Sequence, residues 1–137
     1  MVEFSKPSMV PIGDDIGIER GKFGNGECEV HLTVEQKHCN KGGVCHGGLH
    51  TMLLDMALGG ALVSTLKIEE WCATTQLNVS FISSAQRGDV ISASGRVVKR
   101  GRNVAHLSGE IHNQNGRLIA SASGTWAIWD HKPASMG

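Results

Sequence analysis

The run Asn40-Lys41-Gly42-Gly43-Val44-Cys45-His46-Gly47-Gly48 leads straight into an apolar segment. Cys45 and His46 are poor helix caps, and no Ser, Thr, Asp or Asn stands at the boundary to satisfy the first backbone N–H groups. The N–H groups of Gly47 and Gly48 are then free, unshielded by side chains, at a positive helix end. Such an end suits an anion or a polarised carbonyl oxygen. The same spacing also fits an ordinary glycine-rich helix entry. Asp55 is the second unusual residue. It is the only carboxylate in the apolar segment, and Thr51, Met52, Leu58 and Gly59, three and four residues away, include no cation. Burying an unpaired carboxylate is costly. Asp55 therefore either lines a cleft as a general base or nucleophile, or marks the helix's exposed edge.

The elements around them must hold these residues in place. His46–Leu66 is the one long helix, apolar on nearly every face and hence buried. Residues 1–15 hold two of the three prolines and read as a loose lead-in. Residues 16–24 suggest a short strand before the turn at Asn25-Gly26. Glu27–Val34 alternates, with Cys28, Val30, Leu32 and Val34 on one face. After Trp71 the period is two to the end, in Cys72–Ile82, Asp89–Lys99, Asn103–Asn113 and Arg117–Trp129. Short links, including Asn115-Gly116, make the last three an antiparallel meander. The expected fold is α+β: one long central helix wrapped by a curved antiparallel sheet of five or six strands. Residues 16–130 form a single domain, and 131–137 a C-terminal tail. A sheet covers one side of a helix, so this helix needs further cover, most simply from a two-fold dimer. Gly47 and Asp55 lie about 12 Å apart along one helix. A dimer could set Gly47 of one chain near Asp55 of the other.

Thirteen basic residues balance thirteen acidic ones, which argues against a general nucleic-acid binder. No apolar stretch approaches the length of a membrane helix. No secretory signal pattern opens the chain, so the four cysteines read as free thiols in a reducing, cytoplasmic setting. His38, Cys39, Cys45, His46 and His50 invite a metal reading, but the spacing matches no metal motif. Neither metal nor cofactor is expected.

The run His46-Gly47-Gly48, with Asp55 seven residues beyond Gly48, joins an upstream Asn40 and the later Gly88-Asp89, Gly101-Arg102 and Gly124-Thr125. Together they resemble the acyl-CoA thioesterases of the hotdog fold, closest to the PaaI-like, phenylacetate-degradation type. The resemblance spans Glu27–Trp129. It implies that an acyl- or aryl-CoA thioester is hydrolysed to free acid and coenzyme A. It implies that the Gly47 N–H polarises the carbonyl, and that Asp55 activates water or attacks directly. Asn40 and His46 would orient the thioester or the water, and Thr74 would help hold water. Where a related branch carries a glutamate on the helix, this chain has Asp55, one methylene shorter. Lys99, Arg100 and Arg102, with Arg96 nearby, resemble a site for the coenzyme A phosphates; they also read as a solvated turn. The family implies a homodimer that assembles the site, commonly paired into a homotetramer. A non-catalytic acyl-CoA-binding protein on this fold would not need Asp55. A hotdog hydratase or dehydratase would carry a different His–acid signature.

Overall fold

The computed structural model describes residues 10–136 and the backbone of residues 6 and 7. The chain runs β1 (Lys6–Pro7), α1 (Pro11–Ile16), β2 (Glu19–Gly24), β3 (Glu27–Thr33), a 3-10 turn (Gln36–His38) and α2 (Gly47–Val63). Then come β4 (Trp71–Phe81), β5 (Val90–Arg100), β6 (Val104–His112), β7 (Leu118–Trp129) and a last 3-10 turn (Ala134–Met136). The strands form one antiparallel sheet in the order β1-β2-β3-β5-β6-β7-β4. Six strands wrap α2, and the two-residue β1 extends the β2 edge.

The wrap follows from alternation. Cys28, Val30 and Leu32 of β3, Ile91 and Ala93 of β5, Ala105, Leu107 and Ile111 of β6, and Ala122, Trp126 and Ile128 of β7 all turn inward and are buried. They meet Leu53, Leu54, Ala57, Leu58, Ala61 and Leu62 of α2, each fully buried. The opposite side of α2 (Thr51, Met52, Asp55, Met56, Gly59, Gly60 and Val63) is half-buried. Within one chain, the sheet covers only part of this helix.

Several local details differ from the sequence reading. Helix α2 starts at Gly47 and stops at Val63, short of Leu66. The hydroxyls of Ser64 and Thr65 donate to the carbonyls of Ala61 and Leu62, both at 2.7 Å, in the final turn. Part of the expected lead-in is ordered: Pro11–Ile16 form α1, with Pro at the helix start and Gly17 (φ 99°) closing its end. Of residues 1–9, all but the backbone of β1 lie outside the described residues. Within the chain, Gly59 and Gly60 face side chains. A Cβ would stand 3.4 Å from Trp126 Nε1 at Gly59 and 2.6 Å from Cys28 Sγ at Gly60.

Backbone approaches backbone closely at Gly95 on β5. A Cβ there would stand 2.7 Å from the Leu58 nitrogen and collide with the Ala57 carbonyl. Gly95 sets how near the sheet comes to α2. Gly95→Ala should force the helix off the sheet and destabilise the fold by roughly 1–3 kcal/mol. A lower urea midpoint with an unchanged slope would show it; an unchanged midpoint would contradict it.

Candidate active site

The loop before α2 is a small hairpin held from inside. The Asn40 N–H donates to the Val44 carbonyl at 2.8 Å, and the Gly43 N–H to the Asn40 carbonyl at 3.0 Å. The Asn40 Oδ1 accepts from the N–H groups of Gly42 (2.9 Å) and Val44 (3.4 Å). Gly43 takes φ 83°, which a side chain would disfavour. The Asn40 side chain therefore shapes the loop that delivers Gly47. The hairpin is tied down by Cys45 N–H on the Ala85 carbonyl (2.8 Å) and by His46 N–H on the His38 carbonyl (2.9 Å).

His38 fastens this loop to α1. Its Nδ1 accepts from the Glu35 N–H at 2.8 Å, which leaves Nε2–H to donate to the Ile16 carbonyl at 2.7 Å. His38 is buried.

His46 caps α2 with its backbone only and is exposed; its carbonyl receives the Leu49 N–H at 3.0 Å. Among the described residues, no acceptor takes the N–H of Gly47 or Gly48. Phe81, at the end of β4, packs against Gly47: a Cβ at that position would lie 3.2 Å from its ring. A side chain there would make the ring give way by a few tenths of an ångström. His50 turns the other way, into the core, with its ring centroid 6.3 Å from that of Phe81. Burial holds its pKa below the ordinary imidazole range. His46 and His50 thus point to different environments. Among the described residues, no three His, Cys, Asp or Glu side chains gather as a metal set.

Asp55 lies on the half-covered side of α2, and the Thr74 hydroxyl donates to its Oδ1 at 2.7 Å. The adjacent Thr75 is engaged elsewhere: its Oγ1 donates to the Thr125 carbonyl at 3.0 Å and lies 2.8 Å from Thr125 Oγ1. An irregularity in the β4–β7 register between Thr74 and Gln76 separates the two. Such bulges re-aim side chains, and this one leaves Thr74 to meet Asp55. Burial first, then the Asp55 charge, pushes the nearby Cys72 thiol up to about 11.

The basic residues do not act as one cluster. Arg100 Nη2 pairs with Glu70 Oε2 at 2.7 Å, and Arg96 with Glu110 at 3.1 Å. Glu70 also accepts from the Lys67 N–H at 2.9 Å. That bond and the Arg100 bond hold its carboxyl below the usual carboxylate range. Lys99 and Arg102 are exposed, with no ion pair among the described residues.

A cleft of about 420 Å³ opens between α1 and α2, lined by Ile16, His38, His46, Gly48, Leu49 and Met52, with Asp15 and Lys37. The roles of Ile16, His38, Met52 and Phe81 in this region were not visible in the sequence. Only the alternation of β4 hinted at Phe81, and nothing local placed it on Gly47.

Residues 42–120, more than half of the chain, match the Thioesterase superfamily. This chain belongs to the thioesterase superfamily. It is a thioester hydrolase, and its helix-in-sheet architecture is the hotdog fold. The chain is 38% identical over 99 residues to "Putative esterase PA0474" of Pseudomonas aeruginosa, covering 72% of this chain and 73% of that protein. It is 32% identical over 99 residues to acyl-coenzyme A thioesterase 13 of Mus musculus, covering 72% and 69%. A hypothetical thioesterase of Streptococcus pneumoniae, solved with coenzyme A, superposes with a TM-score of 0.77 at 25% identity, covering 85% of this chain and 89% of that one. Among the described residues, no helix is long and apolar enough to cross a membrane.

Proposed function

We propose that this thioesterase hydrolyses acyl- or aryl-CoA thioesters at a site shared between two copies of the chain. Asp55 delivers the nucleophile and the Gly47 N–H stabilises the oxyanion. The observation that carries this reading is the Thr74–Asp55 hydrogen bond on the open side of α2. A hydroxyl donor holds one carboxylate oxygen and leaves the other available to water or to the thioester carbon. General-base assistance or covalent attack would both start from this arrangement. The Gly47 N–H, which meets no acceptor among the described residues and stands at the positive end of α2, supplies the oxyanion donor. Asn40 contributes by shaping the loop, and His46 by standing exposed beside Gly47.

The shared site follows from the sheet edge. Strand β4 is an eleven-residue edge strand, and a long open edge is a template for pairing. Thr74, which holds Asp55, and Phe81, which covers Gly47, stand near opposite ends of β4. Antiparallel pairing of β4 with a second β4 about a two-fold axis would bring the Thr74 end of one strand beside the opposite end of its partner. The half-covered side of α2 would gain its missing cover from the same contact.

The pneumococcal relative's bound coenzyme A supports a coenzyme A thioester as substrate. The cleft beside Gly48 falls within the usual range for small-molecule sites, roughly 300–1,000 Å³. Its Ile16, Leu49 and Met52 walls suit an apolar acyl or aryl group. Glu70 occupies Arg100, so the charge available to the phosphates comes mainly from Lys99 and Arg102.

Three outcomes test this reading. Asp55→Asn should lower kcat for acyl-CoA hydrolysis by roughly 10²–10⁴-fold while the fold and substrate binding persist. A variant that keeps more than about a third of the rate would favour a non-catalytic acyl-CoA-binding role. Sedimentation should show a dimer or a tetramer; an active monomer at micromolar concentration would rule out the shared site. Replacing Lys99 and Arg102 together by Ala should raise KM for acyl-CoA and flatten its salt dependence. Equal use of acyl-pantetheine, which lacks the nucleotide phosphates, would remove that role.

A further inference from the structure

Cys39 and Cys45 oppose each other across the hairpin that leads into α2, as antiparallel bridge partners. The flanking hydrogen bonds identify the kind of pair. Asn40 N–H donates to the Val44 carbonyl, and His46 N–H to the His38 carbonyl. These bonds bracket the cysteines and do not join them. The cysteines therefore form a non-hydrogen-bonded pair, in which Cα atoms stand about 4.5 Å apart. Opposed side chains in such a pair rise from the same face. A disulfide spans Cα separations of roughly 4.4–6.8 Å. Both cysteines are free thiols: Cys39 is half-exposed and Cys45 is buried. Among the described residues, the Cys39 thiol makes one long contact, 3.5 Å, to the Glu35 carbonyl. Cys28 and Cys72 are buried on β3 and β4, outside this hairpin.

We propose that Cys39 and Cys45 are a reversible oxidation site, which a low-molecular-weight disulfide converts into an intrachain disulfide directly upstream of Gly47. The Cys39 thiolate attacks one sulfur of the disulfide RSSR. A Cys39–SR mixed disulfide forms and one RS⁻ leaves. The Cys45 thiolate then attacks the Cys39 sulfur, forming the Cys39–Cys45 bond and expelling the second RS⁻. The two cysteine protons end on the two RS⁻ groups, so the pair is oxidised by two electrons and RSSR is reduced to two thiols. Cys39, being accessible, is the entry point. Burial, and then the neighbouring Cys39, push the Cys45 thiol up to about 11, so the second step is slow at neutral pH and faster in alkali.

The cross-link has a mechanical consequence. Opposed strand residues keep their Cβ atoms about 4.5–5.5 Å apart, and a disulfide draws them to about 3.8 Å. Cys45 lies two residues before Gly47, and its N–H is anchored on the Ala85 carbonyl. Tightening the hairpin shifts the chain that carries the Gly47 N–H. This effect on activity rests on the thioesterase reading above; the disulfide itself does not. Displacements near 1 Å in a catalytic group can cost about 100-fold.

The experiment treats the full-length chain with oxidised glutathione at mildly alkaline pH, blocks remaining thiols, and digests with trypsin without reduction. Trypsin cleaves after Lys41, between the two cysteines, so the disulfide is read as two peptides held together. Intact mass should fall by about 2 Da and return with dithiothreitol. A glutathione adduct alone, a link involving Cys28 or Cys72, or no change would overturn the site. Acyl-CoA hydrolysis should fall roughly tenfold or more on oxidation and recover on reduction. Cys39→Ser should hydrolyse at the reduced wild-type rate and ignore the oxidant. Cross-linking with full activity would overturn the mechanical effect. A chain that cross-links but hydrolyses no thioester would overturn the reading of the site, and the effect with it, and leave the disulfide standing.

Discussion

Helix α2 carries apolar side chains on nearly every side, and a sheet can cover only one of them. Most of the structure answers that constraint. The inward faces of β3, β5, β6 and β7 bury Leu53, Leu54, Ala57, Leu58, Ala61 and Leu62 completely. Gly95 lets the sheet come close enough to do so. The other side of the helix stays half-buried, and Asp55 sits on it. A carboxylate there escapes the full cost of burial, yet it remains beside apolar neighbours and a strand edge.

In the reaction proposed above, the two ends of the chemistry are prepared in different ways. Asp55 is positioned by a side chain, through the Thr74 hydroxyl on β4. Gly47 is positioned by backbone, at the end of a hairpin that Asn40 shapes and that Ala85 and His38 anchor. A backbone N–H at a helix start needs no reorganisation when charge develops on the substrate. Its aim therefore depends on the rigidity of the hairpin behind it. Asn40 and His38 both bear on that rigidity, although neither need touch the reacting atoms.

Charge on the surface shows the same division between structural and available groups. Arg100 and Arg96 are engaged by Glu70 and Glu110. Pairs of this kind contribute little to stability where solvent screens them. Each of these guanidinium groups is paired with a carboxylate, whereas Lys99 and Arg102 are exposed without an ion pair among the described residues.

The amino-acid sequence by itself determined the long apolar helix, the period-two strands and the anomalies at Gly47 and Asp55. Each is a pattern among near neighbours, and hydrophobic periodicity and capping are local signals. The end of α2 escaped that reading, because the hydroxyls of Ser64 and Thr65 bond back to the last turn while Leu66 continues the apolar pattern. Tertiary structure alone decided that Thr74 and not Thr75 meets Asp55, since a shift in β4–β7 pairing sets which hydroxyl turns to the helix. It decided that Arg100 goes to Glu70, thirty residues away, and that Phe81 lies on Gly47. It also set Cys39 opposite Cys45 and joined His38 to Ile16. These contacts depend on where the chain returns in space, and segments distant in sequence leave no periodic trace of the partner they will meet.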